Sequence, residues 1–378
     1  MKNVSKIIAC YAADTSGVCS ALYELGGMTV VHDASGCNST YSTHDEPRWW
    51  DIKSNIYISA LTELDAIMGN DEKLICDTVS AAKDKKPGFI AVCGSPMPMM
   101  TGVDFDAVAM EIESRSGVRT FPLHTNGTRS YIEGASEAFE AVVREYALPQ
   151  ERAKNGVNVL GLTPLDFPLG ADRAVRDWLS ENDFECVCTL AMGCTLEDIG
   201  KMASASVNLV VSSSGLAAAR YLKEKYGIPF VCGVPFGLEF PYDLAGAMLR
   251  AIESGEDCYY SASHTPGNDL VIIGEGISAT SLACAIEADR GVRSTVIAAQ
   301  PIDEAMLGAG DVNITAEEDI ERFLADRQPA AVIADPIYKY ITPKGIKLIG
   351  IPHFAFSGRC YQKHMKNMIN TDIKEILR

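Results

Sequence analysis

No stretch of the 378 residues approaches the roughly 20 consecutive apolar residues that cross a bilayer, so a helical membrane protein is excluded. The N-terminal MKNVSKIIACYAADTSG lacks the apolar core and small-residue cleavage site of a secretory signal, which predicts a cytoplasmic location. Positive charge is in deficit: 33 Lys and Arg stand against 50 Asp and Glu, a formal charge of −17. That leaves no basic face to neutralise phosphates and excludes a general nucleic-acid binder, while allowing a basic partner. No close Cys-x-x-Cys pair is present, which speaks against a zinc ribbon.

Apolar residues at 47% and charged residues at 22% give the balance of a globular protein, and the length fits two or three domains. Twelve cysteines exceed what packing needs. A reducing cytosol disfavours disulfides, so metal ligation or redox chemistry gains weight, although about two thirds of them are expected to be inert core residues.

The hydrophobic pattern predicts α/β structure repeated three times, with mainly parallel sheets and crossover helices in three Rossmann-like domains. VNVLGLTP (157–164) is a buried strand, and the next stretch places Ala174, Val175, Trp178 and Leu179 at helical spacing. GLAAARYLKEKYGIP is a helix closed by Gly227 and Pro229. DLVIIGEGISATSLACAIEADRGVRSTVIA repeats strand, glycine turn, helix and strand. Boundaries are placed in the polar segments 147–156 and 261–268, giving domains of residues 1–150, 151–264 and 265–378. In open α/β sheets ligands sit beyond the carboxyl ends of strands, and Cys37 and Cys93 both lie where a strand runs into a loop. Gly274 and Gly276 are a weak nucleotide signal, because Ala279 replaces the third glycine; NAD binding is not expected.

Three cysteines stand out by context: Cys10 after KIIA, Cys37 in HDASGC and Cys93 in AVCGSPMPMMTGVD. Small residues and turns let the backbone approach a cluster and aim amides at its sulfurs. CYAADTSGVCSALYELGGMTVVHDASGC resembles the nitrogenase component 1 family between its first cluster cysteine and its His-Gly-Pro-x-Gly-Cys motif, seen here as His32 to Cys37. SALTELDAIMGNDEKL, FPLHTNGTRSYIEGASEAF and VNLVVSSSGLAAARYLKEKYGIPFV resemble later family segments in the correct order. The resemblance implies an oxidoreductase subunit that takes electrons from an ATP-hydrolysing 4Fe–4S iron protein at an interfacial cluster and passes them to a small substrate or tetrapyrrole-like ligand.

Carried over, Cys10, Cys37 and Cys93 hold that cluster, a 4Fe–4S cubane or a larger P-cluster-like form. Three thiolates leave a cubane one ligand short, so the pairing is a homodimer or a heterodimer with a related component 1 subunit. Asp33 is a candidate extra oxygen ligand, or else a turn residue. Where nitrogenase anchors its molybdenum cofactor by a cysteine, this chain has Ser212, so no molybdenum cofactor is expected; the compact nitrogenase-like branch is the nearer likeness. A non-catalytic scaffold or carrier for a metallocluster or tetrapyrrole is the alternative, and a periplasmic-type binding protein a third.

His44 and Arg48 in STHDEPRWW are candidates for delivering protons and clamping a substrate carboxylate, with the adjacent tryptophans as a stacking face. Cys186, Cys188 and Cys194 form a rival group for a metal, against a reading as a buried strand. His353, after a Gly-Ile-Pro strand, is read as a structural histidine.

Overall fold

The computed structural model of the chain describes residues 5–7, 9, 13–34, 36–43, 45–374 and 376. The first sheet contains β1 (Met28–His32), β2 (Ile56–Ile58), β3 (Ile90–Gly94) and β4 (Thr120–Leu123). The second contains β5 (Gly156–Leu162), β6 (Glu185–Ala191), β7 (Val207–Val210) and β8 (Phe230–Cys232). The third contains β9 (Pro266–Gly274), β10 (Ser294–Ala298), β11 (Val312–Asn313), β12 (Ala331–Ala334) and β13 (Lys347–Gly350). Every pairing among these strands is parallel. The α/β architecture with three parallel sheets is therefore as the residue pattern predicts.

The central strands show why. β1, β3 and β5 are buried along their whole length, which requires the nearly unbroken apolar runs that a sheet covered on both faces demands. The strand orders are β2-β1-β3-β4, β6-β5-β7-β8 and β11-β10-β9-β12-β13. In each sheet the chain winds outward one way, then restarts beside its first strand and winds the other way. This opens a crevice at the carboxyl ends of β1 and β3, of β5 and β7, and of β9 and β12, the places where such folds take ligands.

Helices pack where side chains permit. The helix Asp14–Leu22 crosses the helix Tyr131–Tyr146 at Gly17 and Gly134. A Cβ at Gly17 would land on the Tyr131 carbonyl, and one at Gly134 on the Asp14 carbonyl. Ser130 and Glu133 form a capping box that fixes the start of the second helix, so Tyr131 enters the protein at a defined angle. Between Gly274 and Gly276, Glu275 caps the helix Gly276–Arg290, and a side chain at Gly276 would overlap Ile302. Close packing explains that glycine without a nucleotide. No described helix is long and apolar enough to cross a membrane.

Candidate functional site

Strand ends of the second and third sheets line one cavity, and a residue beyond the first sheet's last strand hydrogen-bonds to its wall. Tyr131, at the start of the helix that follows β4, donates its hydroxyl to Asp166 Oδ1 at 2.6 Å. Asp166 lies in the turn after β5, where its backbone N–H donates to the Thr163 carbonyl at 3.1 Å. His353 follows β13 and places Nε2 3.1 Å from the same Asp166 oxygen. The approach is poorly aligned: both ring nitrogens of His353 are buried and neither has a hydrogen-bond partner among the described residues. The imidazole lines the cavity with Asp166 at ion-pair distance.

The loop carrying it is rigid. Asp335, after β12, accepts from the His353 backbone N–H and from Ser357 Oγ, each at 2.7 Å, and from the Ile337 N–H at 2.9 Å. Glu275, after β9, accepts from Ser213 N and Oγ at 3.0 and 2.6 Å and from Ser278 N at 2.9 Å. These carboxylates are occupied in holding strand ends, not aimed at a ligand. Burial, and then the nearby Asp166, raise the pKa of Glu275 above the usual carboxylate range. Burial and Asp166 likewise push Tyr131 well above its ordinary value, so it keeps its proton. Phe167, Phe236, Ile272, Leu282, Ile333 and Phe356 supply apolar wall around a cavity of about 80 Å³.

The residues singled out from sequence fare differently. Cys10 and His44 lie outside the described residues, and of Cys37 only the backbone is described, starting the short helix Cys37–Thr40 just after β1. Of the three cysteines, Cys93 alone has its side chain described. It sits within β3 in register with Val31 and Leu123, is wholly buried, and packs in the apolar core with Cys19 and Phe121. Burial, and then Cys19, push its thiol well above the ordinary value.

Asp33 takes the turn role: it accepts from Ser95 Oγ at 2.7 Å and from the Asn38 amide, tying the ends of β1 and β3 together. Arg48 is buried. Its guanidinium is spent inside the protein, on Glu46 at 2.7 and 3.1 Å, Glu24 at 3.2 Å and the Ser20 carbonyl at 2.7 Å, above the Tyr23 ring. Trp50 is 76% exposed beside it. Cys186, Cys188 and Cys194 form no metal site, because among the described residues no three or more His, Cys, Asp or Glu are grouped to hold an ion.

Such a site lies at strand ends of an α/β fold built on three parallel sheets. The chain belongs to the nitrogenase component 1 type oxidoreductase family, whose sequence profile matches residues 17–253. It is 26% identical over 250 residues to the nitrogenase iron–molybdenum cofactor biosynthesis protein NifE of Clostridium pasteurianum, a match covering 61% of this chain and 52% of that protein. It is 35% identical over 109 residues to a component of the light-independent protochlorophyllide reductase of Prosthecochloris aestuarii, covering 28% of this chain and 20% of the relative. The matched stretch is thus about half the length of the first relative and a fifth of the second. The solved structure of nitrogenase Cp1 at pH 6.5 superposes with a TM-score of 0.72 at 14% identity, covering 100% of this chain and 93% of that one, which establishes the shared fold.

Proposed function

We propose that this chain is an electron-accepting component 1 type subunit that binds a largely apolar, tetrapyrrole-like ligand or similar small substrate in the cavity beside His353. The observation that carries the reading is the grouping of Tyr131, Asp166 and His353, one from beyond each sheet, with Asp166 and His353 lining an apolar cavity. A neutral imidazole is a common metal ligand and hydrogen-bond partner. Reduction consumes protons as well as electrons, and Tyr131 holds a proton against Asp166, one step from His353. The apolar wall keeps water out, which strengthens every interaction within.

Electrons would arrive from an ATP-hydrolysing iron protein. With Cys93 in the core, Cys10 and Cys37 are the remaining thiols of the right type, and two copies of the chain supply the four thiolates that a 4Fe–4S cubane takes. A cluster held there would supply one-electron transfer at low potential. Exposed Leu64, Ile67, Met68, Met97, Met99 and Met100 gather on the two short helices that follow β2 and β3, an apolar face of the kind that pairs with another subunit.

The test uses hemin as probe. Wild-type protein binds it with a shifted Soret band, and His353→Ala weakens binding by about tenfold or more and changes the band. No binding, or the same affinity and spectrum in the variant, would overturn the cavity assignment. The carrier reading is favoured by one observation: Ser212, beyond β7, stands where a cofactor thiolate would, and its hydroxyl accepts from Ser214 N at 3.3 Å and Ser214 Oγ at 3.1 Å. Binding of the probe without its reduction by a supplied iron protein and ATP would select the carrier.

A further inference from the structure

β6 carries Cys186 and Cys188, and the chain doubles back after it to bring Cys194 alongside. The Cys188 and Cys194 sulfurs lie 3.3 Å apart, Cys188 fully enclosed and Cys194 2% exposed. This proximity is built by the turn between them. Ala191 adopts φ 107°, a left-handed conformation that a residue with a Cβ seldom takes. Thr189 Oγ1 donates to the Met192 carbonyl at 2.8 Å, and Arg176 to the Gly193 carbonyl at 3.1 Å. Gly193 N–H donates to Glu24 at 2.7 Å, tying the turn to the first sheet's side of the molecule.

The sulfurs are thus held a little over 1 Å beyond the roughly 2.05 Å of a disulfide bond. Cys186 stands apart, half-buried on the same strand. The hydrogen bond to Cys194, and then burial, push the Cys188 thiol well above its ordinary value.

We propose that Cys188 and Cys194 are a redox-active dithiol that closes to a disulfide on two-electron oxidation by a small peroxide. Cys194, flanked by exposed Gly193 and Thr195, is the thiol that the oxidant meets. Its sulfur attacks one peroxide oxygen, the O–O bond breaks, and the departing hydroxide takes the thiol proton as water, leaving a sulfenic acid. The Cys188 sulfur then attacks Cys194, the S–O bond breaks, and hydroxide leaves with the Cys188 proton as a second water. Two thiols and one hydrogen peroxide give one disulfide and two waters.

The full chain is exposed anaerobically to hydrogen peroxide, unfolded in alkylating reagent, and mapped by mass spectrometry. The expected result is a peptide linked internally between Cys188 and Cys194 with Cys186 alkylated. Cys188→Ser should instead leave a dimedone-reactive Cys194. The proposal is overturned if Cys188 and Cys194 remain fully alkylated after the exposed Cys76 and Cys360 have oxidised, or if the link joins Cys186 to Cys194.

Discussion

Arg48 and its partners Glu46 and Glu24 are enclosed together, with 4%, 5% and 13% of their side chains exposed. Removing one member leaves the others charged and unpaired, so Arg48→Ala should cost about 3–5 kcal/mol in urea unfolding. A loss below about 1 kcal/mol would return Arg48 to the surface role its sequence context suggested. That context, a charged loop beside two tryptophans, could not reveal that Glu24, 24 residues away, closes over the guanidinium. A second buried pair gives a pH signature. Burial alone would lower the pKa of His264, but Asp311 at 3.2 Å, together with Cys284, raises it to about 10. The folded chain then holds a proton that the unfolded chain gives up above about pH 6.5. Its stabilisation is complete below that value and is lost as pH rises towards 10. Thermal melts should therefore fall more steeply between those limits for the wild type than for His264→Gln, and parallel curves would contradict the assignment.

Among the elements, the alternation of strand and helix was legible because parallel strands buried on both faces need continuous β-branched runs, and helices need 3.6-residue spacing and glycine stops. Gly227, at φ 68°, ends its helix as the sequence indicates. Gly17 and Gly134 were not legible as a contact, since 117 residues separate two glycines that meet through their backbones. Gly17→Ala should push the helices apart and cost about 1–3 kcal/mol or more, measurable as a lowered denaturant midpoint. Because the same crossing seats Tyr131, hemin affinity should fall with it. Unchanged stability would mean that the crossing is looser than the backbone contact implies.

For the whole molecule, the fold was readable and the site only in part. Three repeated α/β units point to three parallel sheets, but the cavity draws on residues 166, 275, 335 and 353, each after a different strand, and no local motif ties them together. His353 looked structural because its neighbours do not announce a ligand site; its significance comes from unpaired ring nitrogens, which only packing shows. Cys93 shows the same limit from the other side. A strand end followed by glycine and prolines looks like a cluster loop, yet the strand's register turns that thiol into the core.

The central claim is an electron-accepting subunit whose cluster is shared between two copies through Cys10 and Cys37. Iron and acid-labile sulfide in anaerobically purified wild type, Cys37→Ser and Cys93→Ser test it most directly. The account predicts about two irons per chain in the wild type, nearly the same in Cys93→Ser, and loss in Cys37→Ser. Iron lost in Cys93→Ser while that variant stays folded, or none in the wild type after anaerobic reconstitution, would contradict it.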